Sequence, residues 1–256
     1  MDIEIFKKAV DSMVGYPKMT GVMGGEPLLH PKFPEFCRYI KAKIPKEQLG
    51  LWTCLPKGYQ HYSDIICETF GHIFINDHTR EDIFHAPILI GSEEVFSDPR
   101  EMFYATEHCW VQEAWSASIN PKGAFFCEIA ASLSHLLDGP RGWKVEPGWW
   151  MRVTKDFKEQ REEWCPKCGA ALPFLRRKST EGIDDISPKN LARLKGRSKK
   201  VERGEFLLSD LKLVSCPQEM AAYKDISYRQ RIANRYGIYL YHNEQNFLTP
   251  IRLKRS

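Results

Sequence analysis

Two cysteines in the sequence, in the run Cys165-Pro166-Lys167-Cys168-Gly169, have a spacing that suits a metal ion. Two intervening residues let a tight knuckle turn both sulfurs toward one ion, with a glycine after it for an unusual backbone angle. A tetrahedral site needs two more thiolates, and Cys109 and Cys127, on either side of an expected hairpin, are the candidates. Free thiols titrate at about 8.5, so four of them stay mostly protonated until a metal ionises them, and folding here should be linked to metal loading. Zinc and an iron–sulfur cluster both accept four cysteines, and spacing alone does not decide between them. Of the other cysteines, Cys37, Cys54 and Cys67 read as packing residues and Cys216 is left over. The second chemical feature is Gly24-Gly25-Glu26-Pro27 at the end of a strand-like run. Ligands of parallel α/β folds bind beyond the carboxyl ends of strands. Two glycines there let backbone approach a small molecule, and a carboxylate suits a cationic group such as an ammonium. A plain βα turn with a helix-starting acid is the competing reading.

The elements that must carry these residues alternate. Apolar positions 3, 6, 10, 13 and 14 have a helical period that ends at Gly15-Tyr16-Pro17. Strands are expected at 19–23, 50–54, 72–76 and 88–90, and helices at about 34–43 and 63–70, with a charged helical stretch before residue 88. Such alternation predicts an α/β fold with parallel βα units and buried strands. The units are too few to close an eight-stranded barrel, so a partial, open barrel is expected over 1–105. Past residue 105 the pattern changes to a hairpin, 115–119 with 124–127, an amphipathic helix over 128–137, a Trp-rich loop over 143–150, and a charged helix running into the knuckle. This gives a small α+β domain over 106–175, followed by a C-terminal extension over 176–256.

Composition narrows the classes. Of 256 residues, 43% are hydrophobic and 27% charged, the balance of an ordinary globular protein. No apolar run approaches the roughly 20 residues of a membrane span. The first residues, Met1-Asp2-Ile3-Glu4-Ile5, carry acids where a secretory signal carries bases, so the expected compartment is the cytoplasm. There thiols stay reduced and clustered cysteines read as metal ligands before disulfides. The net charge of +4 is concentrated in segment 176–203, which reads as a solvated, mobile connector. A nucleic-acid partner is the weaker alternative, because no aromatic residues interleave there for stacking.

Taken together, the run Met19 to Pro31, with its strand, Gly-Gly-Glu-Pro, Leu-Leu and His-Pro, resembles the second βα turn of radical S-adenosylmethionine (radical SAM) enzymes. Cys109, Gly123, Cys127 and the Cys165/Cys168 pair resemble the auxiliary-cluster region, the SPASM or twitch domain, that follows many such barrels. The resemblance implies that Gly24, Gly25, Glu26 and Pro27 contact S-adenosyl-L-methionine. It also implies that Cys109, Cys127, Cys165 and Cys168 ligate one auxiliary 4Fe–4S cluster, with a structural zinc as the alternative. It further implies hydrogen abstraction from a peptide, sugar or other small substrate, and a reducing partner such as ferredoxin or flavodoxin. Two departures stand out. Three residues separate Gly123 from Cys127 where the common pattern has four, and no three cysteines have the family's CxxxCxxC spacing. The expectation is that the chain is N-terminally shortened and does not by itself cleave S-adenosylmethionine reductively. A non-catalytic zinc- or cluster-stabilised binding module is the rival reading. Asn76, Asp77, His78 and His85, and Glu93 with Glu94, are weaker substrate-contact candidates. Trp143, Trp149 and Trp150 either shield a cluster or cover a small core.

Overall fold

The computed structural model describes residues 1–79, 81, 84–107, 109, 111, 117–172 and 177–211. Trp115 and Ser116 of the expected hairpin, Cys216 and the expected helix and strand near 223–241 lie outside the described residues. The described residues divide into two units, 1–78 with 144–152, and 79–143 with 153–211. The breaks expected after 105 and 175 do not coincide with this division.

The first unit is built from βα alternation. Helix α1 (Ile3–Met13) starts where the Asp2 carboxylate accepts the Ile5 N–H at 2.8 Å, and it buries Ile3, Phe6 and Val10. Strand β1 (Thr20–Val22), helix α2 (Phe33–Lys41), strand β2 (Leu49–Thr53), helix α3 (Ser63–Thr69) and strand β3 (His72–Ile75) follow. The strands form a parallel sheet in the order β1-β2-β3, with Gly21 opposite Gly50 and Gly50 opposite His72. Leu49 and Leu51 enter a core with Phe6, Phe33, Phe36, Ile40 and Ile66. On alternate positions Gly21 and Gly50 leave room for the Trp52 ring, which a Cβ would meet at 2.4 and 2.9 Å, and Trp52 stacks on Phe74 with centroids 4.2 Å apart. Three strands and their helices form as the sequence predicts. The sheet is open, and the fourth strand expected at 88–90 does not form. That segment is a turn whose Ile88 and Leu89 carbonyls accept from Gly169, Ser187 and Asn190.

The second unit contains short elements around its own core. Strand β4 (Phe84–His85), where a charged helical stretch is expected, pairs antiparallel with β7 (Arg177–Lys178). Helix α4 (Pro99–Glu107) precedes the hairpin β5 (Ser118–Asn120) and β6 (Gly123–Phe125), and helices α5 (Glu128–Leu136) and α6 (Lys158–Trp164) pack beside it. Asn120 organises the hairpin turn, accepting the Lys122 N–H at 2.7 Å and donating to Ala131 O at 2.6 Å. Trp143 extends β6 by exchanging two backbone hydrogen bonds with Ala124.

The described part of the basic segment, 177–203, differs from a mobile connector: it is folded. Strand β8 (Asp184–Ile186), helix α7 (Pro188–Leu194), helix α8 (Lys199–Glu202) and strand β9 (Phe206–Leu208) form a parallel pair with its crossover, burying Ile186, Ser187, Asn190 and Leu194. Arg177, Lys178, Arg193, Lys200 and Arg203 are in ion pairs with acids, which the charge sum alone does not reveal. No described helix is long and apolar enough to cross a membrane.

Candidate metal centre and strand-end site

The four cysteines arrive on three local structures. Cys109 follows α4, Cys127 links β6 to α5, and Cys165 and Cys168 bound a single 3-10 turn after α6. All four belong to one apolar core with Val111, Phe125, Phe126, Ile129, Ala130, Trp164 and Ala170. Cys109 acts electrostatically on each of the other three, and Cys168 also feels Cys127 and Cys165. As the side chains stand, no group of three or more His, Cys, Asp or Glu among the described residues is placed to hold a metal ion. The thiols share a core without closing a coordination sphere.

The electrostatics of this core favour neutral thiols in the absence of a cation. Burial, and then the neighbouring Cys109, pushes the Cys165 thiol up to about 12. The same causes raise Cys127 and Cys168 well above the ordinary thiol range. Donors nonetheless point at the sulfurs. The Ile129 and Ala130 N–H groups at the start of α5 face Cys127, the Ala170 N–H reaches Cys168 Sγ at 3.4 Å, and the Arg161 guanidinium faces Cys165. Hydrogen bonds to the charged form favour it. The donor set therefore suits a group that turns thiols into thiolates, and binding of one would expel protons from the core.

The knuckle is braced from outside. Gly169 N–H donates to Ile88 O at 2.9 Å, Ser92 Oγ to Cys165 O at 2.8 Å, and Asn190 Nδ2 to both Leu89 O and Lys167 O. Glu94 accepts from Ser187 Oγ and the Lys189 N–H, and Glu93 pairs with Arg193 at 2.6 Å, so both acids tie the turn after Gly91 to α7. Gly169 itself is not in the left-handed region expected for it. It is required by close approach, because a Cβ would stand 2.3 Å from Pro87 O and 2.8 Å from Ile90 O.

Three residues that matter here carry no signal in the sequence. Gln160, buried on α6, accepts the Phe126 N–H at 2.9 Å and donates to Ala124 O at 3.1 Å, tying the strand before Cys127 to the helix before Cys165. Arg161 is the cation at Cys165, one turn before it. Glu128, next to Cys127, has a carboxyl pushed up to about 7 by burial, and its Oε2 has no hydrogen-bond partner among the described residues. Of the tryptophans, Trp143 packs against the cysteine core through Phe157, while Trp150 belongs to the other unit and donates to Ser12 O at 3.2 Å.

At the carboxyl end of the parallel sheet, Gly24 and Gly25 are exposed, Gly24 has φ +128°, and a Cβ on either would meet open space. Glu26 is half-buried. Its Oε1 accepts from the Leu28 N–H at 3.0 Å and Thr53 Oγ1 at 2.7 Å, and its Oε2 accepts the Cys54 N–H at 2.7 Å. Burial opposes ionisation, but these donors outweigh it and hold the carboxyl below its usual range. Glu26 thus ties β1 to β2 as an anion, with the Cys54 thiol, raised to about 11 by desolvation and by Glu26, beside it. Asn76 and His78 are exposed just past the end of β3. His85 lies in the other unit on β4. Comparison with models of known protein families gives no match, and comparison with curated proteins gives none either.

Proposed function

We propose that the chain is a radical SAM-type iron–sulfur protein whose auxiliary 4Fe–4S centre is held by Cys109, Cys127, Cys165 and Cys168. The observation that carries this reading is the gathering of four thiols from three separate stretches into one buried core, with N–H donors facing three of the sulfurs. Buried polar groups ordinarily find partners, and donors aimed at sulfur are most useful when the sulfur carries charge. Support for the cofactor comes from the open backbone at Gly24 and Gly25 and from the ionised Glu26 at the ends of parallel strands, which suits the amino group of S-adenosyl-L-methionine. Bound to such a protein, that cofactor and an adjoining reduced cluster supply hydrogen-atom abstraction from a substrate. The chain's own residues bind and orient. Gly24, Gly25 and Pro27 shape the turn, Glu26 fixes a negative charge there, and the cysteine core excludes water from the second centre. A peptide, sugar or other small molecule is the substrate class, with ferredoxin or flavodoxin as reductant.

Anaerobic reconstitution with iron and sulfide, followed by metal and acid-labile sulfide analysis, tests the reading. The expected result is one cluster per chain, absorbing at about 400 nm, and its loss when Cys127 and Cys165 are replaced by Ala. A colourless protein holding one zinc would turn the assignment to a structural module.

A further inference from the structure

The cations of the folded basic segment fall into two sets. Arg193, Lys200 and Arg203 are tied to Glu93, Asp184 and Glu205. Lys195, Arg197 and Lys199 are exposed and make no ion pair among the described residues. These three sit at alternate positions on the turn that joins α7 to α8. The turn is held in place over the buried Leu194. The Arg197 and Ser198 N–H groups both donate to Leu194 O at 3.0 Å, and Ser198 Oγ accepts the Val201 N–H at 3.4 Å. Gly196, at φ +72°, leaves no side chain between Lys195 and Arg197, and a Cβ there would meet open space. Cations on a fixed backbone lose less freedom on binding than cations on a mobile run. The acids around the turn are mostly compensated. Asp138 binds Lys122 at 2.5 Å, and Lys122, followed by Arg197 and His135, holds its carboxyl below the ordinary range. Glu202, exposed on α8, is the acid that stays beside the three cations. Like charges gathered this closely raise a local positive field that a polyanion relieves.

We propose that the α7–α8 turn is a docking surface for the phosphate backbone of double-stranded DNA, with Lys195, Arg197 and Lys199 each neutralising one phosphate. This inference is independent of the reading of the cysteines. A duplex fits the surface better than a single strand, because residues 187–205 include no aromatic side chain on which unpaired bases could stack. Deoxyribose fits better than ribose, because Ser198, the one hydroxyl of the turn, is already used as the cap of α8 and is not left to read a 2′-hydroxyl. Contacts of this kind position a duplex without reading its sequence.

The test is fluorescence anisotropy of a labelled DNA duplex with the full-length chain across a range of salt. Three neutralised phosphates predict a slope of about −2.7 in log K against log salt, an affinity loss of roughly 40-fold between about 50 and 200 mM. Arg197→Gln should make that slope shallower by about 0.9. Replacing Lys195, Arg197 and Lys199 together by Gln should remove most of it, with the urea midpoint of the variant kept near the parent's. Lys189→Gln, an exposed cation at the other end of α7, should leave the slope unchanged. A folded triple variant with the parent slope overturns the proposal. Should the triple variant unfold, an unchanged slope in Arg197→Gln overturns it equally. Absence of binding at about 50 mM salt overturns it. So does tighter binding to a DNA single strand, an RNA duplex or a phosphatidylserine vesicle than to the DNA duplex.

Discussion

Gln160→Leu tests how the hairpin and the knuckle helix are held in register. Gln160 makes two hydrogen bonds inside the core, and their loss is unequal. The Phe126 N–H, at 2.9 Å from Gln160 Oε1, is left buried without an acceptor. The Ala124 carbonyl loses Gln160 Nε2 but keeps the Trp143 N–H at 2.8 Å. An orphaned buried donor costs about 1–3 kcal/mol, whereas loss of one of two bonds at a carbonyl adds about 1 kcal/mol or less. Leucine fills a similar volume, so no large cavity follows. The expected loss is therefore about 2–3 kcal/mol, read as a lowered urea midpoint at constant slope in the metal-free protein. Because Phe126 directly precedes Cys127, metal affinity measured by competition with a chromophoric chelator should fall too. A midpoint within about 0.5 kcal/mol of the parent, the range of ordinary surface substitutions, would refute the role given to Gln160.

Gly169→Ala should destabilise by about 1–3 kcal/mol, the usual cost of forcing volume into a packed site, because its Cβ meets the backbone oxygens of Pro87 and Ile90; equilibrium unfolding reads it. Glu128→Gln should stabilise the metal-free protein at pH 8. The buried carboxyl titrates at about 7 against an ordinary 4.5, so between these values the folded state keeps a proton that the unfolded state releases, and stability falls as pH rises through the window. The gain should be roughly 2–3 kcal/mol above pH 7 and vanish below pH 4.5, as unfolding curves across pH will show. Glu26→Ala has the opposite sign: the lowered folded pKa of Glu26 contributes stability above the usual carboxyl range that is lost as pH falls through it. The variant should lose about 1–3 kcal/mol near neutral pH and show a shallower acid transition.

The residues that the sequence identified best were those with a local pattern. The period of 3, 6 and 10 and the alternation through β3 were enough to place α1 to α3 and the three parallel strands, and the CxxC spacing pointed to a thiol core that Cys109 and Cys127 do enter. What escaped was set by distant partners. Ile88-Leu89-Ile90 has the composition of a buried strand, but its carbonyls are claimed by Gly169, Ser187 and Asn190, residues far along the chain. The basic segment sums to a positive run, yet Glu93, Asp184, Asp185 and Glu205 pair its cations and let it fold. Gln160 and Arg161 sit in a helix so rich in charge that nothing distinguishes a buried polar side chain from a solvated one. Glycine at 169 was foreseeable after a knuckle, though close approach of Pro87 and Ile90, not backbone angle, is its reason.

The most direct test of the central claim is X-ray absorption at the metal edge of the anaerobically reconstituted chain. The account predicts an iron edge with sulfur neighbours only, a shell of sulfur and iron consistent with a cubane, and its disappearance when any two of Cys109, Cys127, Cys165 and Cys168 are replaced. Iron bound through nitrogen or oxygen, or a sulfur shell that survives those replacements, would contradict it.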